Sequence, residues 1–252
     1  MFAKTRIEAD SPQGRFTSGA DVVAGCVLTH AEAHGKHLFL GFDNEMWIHI
    51  HLGLFGKWRI GKGEMPEPRG QIRLRLWNDA GYAELRGPTR CEVIDVDEKR
   101  HALTKIGPDP IRGASSEPAW DRVSRSRMSI GALLMDQRVF AGVGNIYRAE
   151  VLFRHNISPY RIGNKLSRNE FDAIWADLEM LMSKGTKKGR IDTVRPEHLP
   201  DIMGRAARVD RHGGEVYVYR RQGKECYLCE TEVMMADMSG RKLYWCPSCQ
   251  YA

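Results

Sequence analysis

The chain has 252 residues, with 38 Lys or Arg against 32 Asp or Glu, a formal charge of +6 and a pI of about 9.0. With Gly added the apolar share approaches half, which excludes a disordered chain, a collagen-like repeat and a small disulfide scaffold. The longest run free of Asp, Glu, Lys and Arg, Met46 to Gly56, holds 11 residues and two histidines, far short of the roughly 18 apolar residues a membrane helix needs. No apolar run follows the N-terminal charges, so no secretory signal is read there and a cytoplasmic protein is expected.

The first hundred residues read as strands. Met46, Ile48, Ile50 and Leu52 alternate with Trp47, His49 and His51, and Ile72, Leu74 and Leu76 alternate with Arg73, Arg75 and Trp77. Asn78-Asp79-Ala80-Gly81 then turns the chain and Tyr82 to Arg86 returns, the pattern of a hairpin wet on one face. The alternation predicts an α+β chain that opens on an antiparallel β-sandwich over residues 1–108. His49 and His51 share a strand face, where the alternation favours a polar outer surface over a metal site. Cys26 and Cys91 sit singly among apolar neighbours and read as core residues.

Pro, Gly and Ser gather between Gly107 and Pro118, and residues 109–118 read as a linker. The period then becomes helical over 119–213. Ile130, Leu133 and Leu134 precede a helix from about Asn145 to Arg154. Ser167 and Glu170 form a capping box ahead of the stripe Phe171, Ile174, Trp175 and Leu178. Another short helix is expected near Pro196 to Ala207. In the loop Ala141-Gly142-Val143-Gly144-Asn145, two glycines let the backbone approach an anion, Asn145 suits the cap of the following helix, and the amides at that helix start favour phosphate. A tight corner with glycines for packing explains the loop equally well. From Ser183 to Glu225, 11 Lys or Arg meet 6 Asp or Glu, so a polyanion is the natural partner.

Residues 214–252 return to strand, with Val216 and Val218. Cys226-Tyr-Leu-Cys229 and Cys246-Pro-Ser-Cys249 stand 16 residues apart, a spacing that brings four thiolates to one tetrahedral Zn2+. A closed four-cysteine site leaves no open coordination position, so the ion is structural, and it supplies much of the folding energy of a segment with little apolar bulk. His34, His37, His49 and His51 are not read as a second metal site.

Together, Leu134-Met-Asp-Gln-Arg-Val-Phe-Ala-Gly-Val-Gly-Asn-Ile-Tyr-Arg-Ala-Glu-Val-Leu-Phe153 and Gly240-Arg-Lys-Leu-Tyr-Trp-Cys-Pro-Ser-Cys-Gln250 resemble the helix-two-turn-helix and zinc hairpin of the formamidopyrimidine-DNA glycosylase and endonuclease VIII family. Ala33-His-Gly-Lys-His-Leu-Phe39 resembles that family's Gly-Lys segment, and His51-Leu-Gly-Leu-Phe-Gly56 its lesion-site loop. The resemblance spans nearly the whole chain and leans to the endonuclease VIII branch. It implies a β-sandwich, a helical domain and a zinc hairpin, with double-stranded damaged DNA in the cleft between the halves. It also implies base excision of oxidised bases, pyrimidines more than purines, by a monomer at the nucleoid that needs no small-molecule cofactor. Carried over by position, Lys36 contacts phosphate at the lesion and assists proton transfer, while Asn145, with Gly144 before it, holds a phosphate beside the lesion. Arg241 clamps flanking phosphates and donates a proton in the second elimination. Leu54 and Phe55 resemble the wedge that fills the gap left by the extruded nucleotide, and Arg90 is the residue that probes the opposite strand.

Family members open with Pro-Glu once the initiator Met is removed, and the proline amine attacks the sugar. An α-amino group titrates near ~7.7–8.0, about 2.5 units below lysine, so more of it is unprotonated at neutral pH. This chain opens Met1-Phe2-Ala3 and enters the family pattern at about Ser11 to Phe16. Glu8, expected in the first strand, is no substitute for the family's glutamate. Two readings follow: a start upstream of Met1 that supplies the nucleophile to an active glycosylase and lyase, or a member that binds damaged DNA without cutting it. A zinc protein of RNA or the ribosome is a third, because helix-two-turn-helix elements occur there too.

Overall fold

The computed structural model describes residues 1–210 and 214–251, and the chain divides into two compact units, Met1–Lys105 and Ile106–Ala252. The expected domain edge at residue 213 falls outside the described residues.

In the first unit the alternation becomes two four-stranded antiparallel sheets. One runs β1 (Glu8–Asp10), β6 (Leu74–Asn78), β7 (Gly81–Arg86), β5 (Lys57–Gly61), and the other β2 (Leu28–His34), β3 (His37–Phe42), β4 (Trp47–His51), β8 (Arg90–Ile94). Leu74, Leu76 and Leu85 of the first meet Leu40, Ile48 and Ile50 of the second in one buried core. That burial sets the register, since slipping β6 by one residue would turn Arg75 inward and its leucines out. β6 and β7 pair with Asn78 opposite Gly81, the expected turn. Two helices are not legible in the alternation. α1 (Thr17–Val23) buries Ala20 and Val23 in the sandwich core. α2 (Val96–Thr104) starts on a capping box between Asp95 and Glu98 and packs against β4. Its Lys99 ammonium lies 3.3 Å from the Trp47 ring centroid and 2.9 Å from Glu32.

In the second unit α3 (Glu117–Val123), α4 (Ile130–Leu133), α5 (Asn145–Arg154) and α6 (Arg168–Lys188) surround the fully buried Phe140, Leu152, Phe171, Ile174 and Leu178. α6 begins with both arms of the Ser167–Glu170 capping box in place and ends at the left-handed Gly189, φ 65°. The helix expected over 196–207 shrinks to a 3₁₀ turn at Pro196–His198 and α7 (Pro200–Met203), stopped by Gly204 at φ 62°.

Val216 and Val218 are buried, yet they lie on no strand. The amides of Tyr217, Val218 and Tyr219 instead donate to the buried carboxylate of Glu150, at 2.7, 2.9 and 2.9 Å. A side chain on α5 supplies what a neighbouring strand would otherwise provide. The chain closes on the hairpin of β9 (Met234–Met238) and β10 (Arg241–Trp245). Ser239 (φ 53°) and Gly240 (φ 69°) both take the left-handed backbone that a two-residue turn requires. No described helix is long and apolar enough to cross a membrane.

Candidate nucleic-acid interface

Cys226 and Cys229 precede β9 and Cys246 and Cys249 follow β10, so the hairpin register folds one pair onto the other. The four sulfurs lie within 4.8 Å of one another. Cys226 and Cys249 are 3.8 Å apart, and Cys229 is 3.4 Å from both Cys246 and Cys249. A tetrahedral ion with bonds of ~2.3 Å to sulfur wants ligands about 3.8 Å apart, whereas a disulfide wants ~2.05 Å. The donor set therefore fits a metal ion, and the Leu228 and Cys249 amides each point at a ligand sulfur at 3.5 Å, as donors to an anionic centre do.

At the turn end of the same hairpin stands the start of α5. Gly144, not Asn145, occupies the cap position, and no side chain caps the helix. The expected cap role of Asn145 is corrected by where its amide goes: Nδ2 donates to the Lys242 carbonyl at 2.8 Å, and Oδ1 accepts from the Arg148 guanidinium. The hairpin turn comes so close to the helix start that a tertiary bond outcompetes the local one. The preceding loop is braced by Gln137, which accepts from the Gly142 amide at 3.0 Å and donates to the Val143 carbonyl at 2.9 Å. Gly142 needs its glycine, with φ 82°. Arg241 is the first residue after the hairpin tip, next to the Lys242 whose carbonyl Asn145 holds. The start of α5 and the Arg241-Lys242 stretch of the hairpin are thus joined within one unit.

In the first unit, Lys36 lies exposed in the β2–β3 turn after Gly35, φ 57°. Behind it three imidazoles gather on one sheet face. His37 Nδ1 is 2.8 Å from His49 Nε2, His51 Nδ1 is 2.8 Å from Thr89 Oγ1, and the His37 and His51 rings are 4.6 Å apart. Burial first, then His51 and His49, then Arg90, pulls His37 down to about 4. Burial and then Arg90 do the same to His49, again to about 4. His51 is lowered by burial, then by Lys36 and Arg90. The cluster is uncharged at neutral pH. The polar outer surface expected here fails for His49, which is 2 % exposed, because the same face carries Phe39 stacked on it at 4.3 Å and receives α2.

Arg90 opens β8 and pairs with Glu92 at 2.7 Å. Leu54 and Phe55 sit on the turn between β4 and β5, 60 % and 83 % exposed. The Gly56 amide closes that turn on the Leu52 carbonyl at 3.0 Å, and a Cβ on Gly56 would lie 2.2 Å from that oxygen. Two residues escaped the sequence reading, Arg148 and Glu150, each fully buried in α5. Their signal was present: charges set among Tyr147, Ala149, Val151 and Leu152 need a partner inside.

The formamidopyrimidine-DNA glycosylase N-terminal domain is matched by residues 4–91 and the formamidopyrimidine-DNA glycosylase H2TH domain by residues 106–195. The chain is 46% identical over 257 residues to the Endonuclease 8 1 of Mycobacterium tuberculosis, covering 99% of this chain and 93% of that protein. It is 30% identical to the formamidopyrimidine-DNA glycosylase of Xanthomonas campestris pv. campestris, over 91% of this chain and 84% of the other. Its fold matches that of Lactococcus lactis Fpg in complex with DNA containing an abasic site, with a TM-score of 0.77, 22% identity, and coverage of 100% of this chain and 94% of the other. With both domains matched in order and a cysteine cluster that fits a zinc finger behind them, the chain belongs to the formamidopyrimidine-DNA glycosylase and endonuclease VIII family, on its endonuclease VIII branch.

Proposed function

We propose that this chain acts in base-excision repair, gripping duplex DNA at an oxidised base or an abasic site. The observation that carries the reading is the bond from the Asn145 amide to the carbonyl of Lys242, the residue after Arg241, which joins the start of α5 to the hairpin at one corner and so supports a neutral donor and a cation acting together on a phosphate backbone. Zinc is the ion we assign to the four cysteines; when bound it contributes rigidity to the hairpin and no open position for substrate. Lys36 supplies a phosphate contact from the first unit, and its ammonium is the nearby acid for proton transfer at the sugar. Leu54 and Phe55 offer exposed apolar surface to fill the stack when a nucleotide leaves it, a step that costs a few kcal/mol and costs least at damaged pairs. Arg90 faces the opposite strand in this scheme. Oxidised pyrimidines are preferred over purines, the unit of function is a monomer, and the protein works at the nucleoid.

Imine chemistry at the sugar needs an unprotonated amine, and the chain opens Met1-Phe2-Ala3 where the family has Pro-Glu. A second reading is recognition of damage without strand cleavage. One experiment separates the two. The chain is mixed with duplex carrying an abasic site, with undamaged duplex and with structured RNA, and borohydride is added to the first. Binding of the lesion duplex more than about tenfold tighter, some 1.4 kcal/mol, supports the repair reading. A smaller preference moves it to RNA. Absence of a trapped adduct supports recognition alone; trapping at an enzyme's rate refutes the second reading.

A further inference from the structure

Arg148 is fully buried, the largest side chain so enclosed. Among the described residues no carboxylate pairs with it. Its Nη2 donates to Asn145 Oδ1 and, at 3.0 Å, to the Lys242 carbonyl, and its Nη1 donates to the Met238 carbonyl at 3.3 Å, while Nε has no hydrogen-bond partner. Met238 and Lys242 flank the two-residue turn Ser239-Gly240 and the Arg241 that follows it, so one guanidinium holds both sides of the turn next to Arg241 and also fixes the amide of Asn145. The planar fork of Arg, with five donors in fixed directions, is suited to three acceptors on different chain segments; a lysine ammonium is not.

The charge adds a second argument. A buried cation without a counterion is costly. Burial and then Arg241 pull the Arg148 guanidinium down to about 10, so two cations repel each other at this corner. Such a corner is completed by an anion arriving from outside.

We propose that Arg148 is the positioning residue of the phosphate clamp: it locks the hairpin tip onto the start of α5, so that Arg241 and Asn145 present one preset site to the DNA backbone. The proposal rests on the clamp reading given above and deepens it. It assigns Arg148 no direct contact with DNA.

The test is a double-mutant cycle on the zinc-loaded full chain, read by anisotropy with a duplex carrying a tetrahydrofuran abasic analogue over a salt series. Arg241→Gln is expected to weaken binding by about tenfold and to lower the slope of log affinity against log salt by about one. Arg148→Met keeps the bulk and removes the fork; it is expected to match both changes while zinc content and helical circular dichroism stay as in the wild type. The double variant is expected to bind no worse than Arg241→Gln alone. Arg148→Lys, which keeps the charge, serves where the methionine variant does not fold, and is expected to lose affinity in the same direction. If Arg241→Gln weakens binding and the Arg148 variants do not, or if the two losses multiply, Arg148 does not act through Arg241 and the proposal fails. If Arg241→Gln binds like the wild type, the clamp reading itself fails.

Discussion

Glu150 shows how much one carboxylate can organise. It accepts from Thr193 Oγ1 at 2.6 Å as well as from the three successive amides of Tyr217, Val218 and Tyr219, two donors on each oxygen. Glu150→Gln keeps the shape, yet whichever oxygen becomes an NH2 group then faces two donors. The expected loss is about 2–3 kcal/mol, read from the urea midpoint; an unchanged midpoint would contradict the assignment. This role was beyond the reach of sequence reading, because the partners stand 43 and 67 to 69 residues away and no periodicity links them. The same holds for Asn145, whose bond to the hairpin crosses 97 residues, and for His49, whose burial depends on what covers its sheet face. The cysteines were legible because their chemistry allows few alternatives at that spacing.

At the scale of elements, local signals did better. The β6–β7 hairpin and α6 rest on alternation, a Ser-to-Glu spacing and an apolar stripe, each contained within a few residues. α1 and α2 were missed because seven and nine residues are too few for a helical period to stand out between strands. The β9–β10 hairpin has its own weakness: two five-residue strands, with Leu243 and Tyr244 as the buried residues, make a poor core. Chelating the metal is therefore expected to melt it while the helices of the second unit persist. Trp245 reports this, since it packs edge-on to Tyr160 at 5.4 Å. Tryptophan emission should shift on chelation in the wild type and much less in Trp245→Phe, with far-ultraviolet circular dichroism nearly constant. Loss of the helical signal along with the hairpin would overturn that expectation.

For the molecule as a whole, the net charge of +6 favours a polyanion in general but does not say which one. If Lys36 and Arg241 each neutralise a phosphate, the slope of log affinity against log salt should reach at least about 1.8 in magnitude, at about 0.9 per phosphate. Lys36→Gln should lower it by about one without changing the metal content; a slope untouched by that variant would remove Lys36 from the contact surface. The second unit also shows an economy of design in α5. Its first turn holds the hairpin tip through Asn145 and Arg148, and its second turn holds the approach to the cysteines through Glu150. A ten-residue helix is thus the common root of both ends of the C-terminal segment. Anyone transplanting that metal-bound finger into a foreign scaffold would have to carry the helix with it, for without this stem the finger has nothing to keep it pointing in one direction.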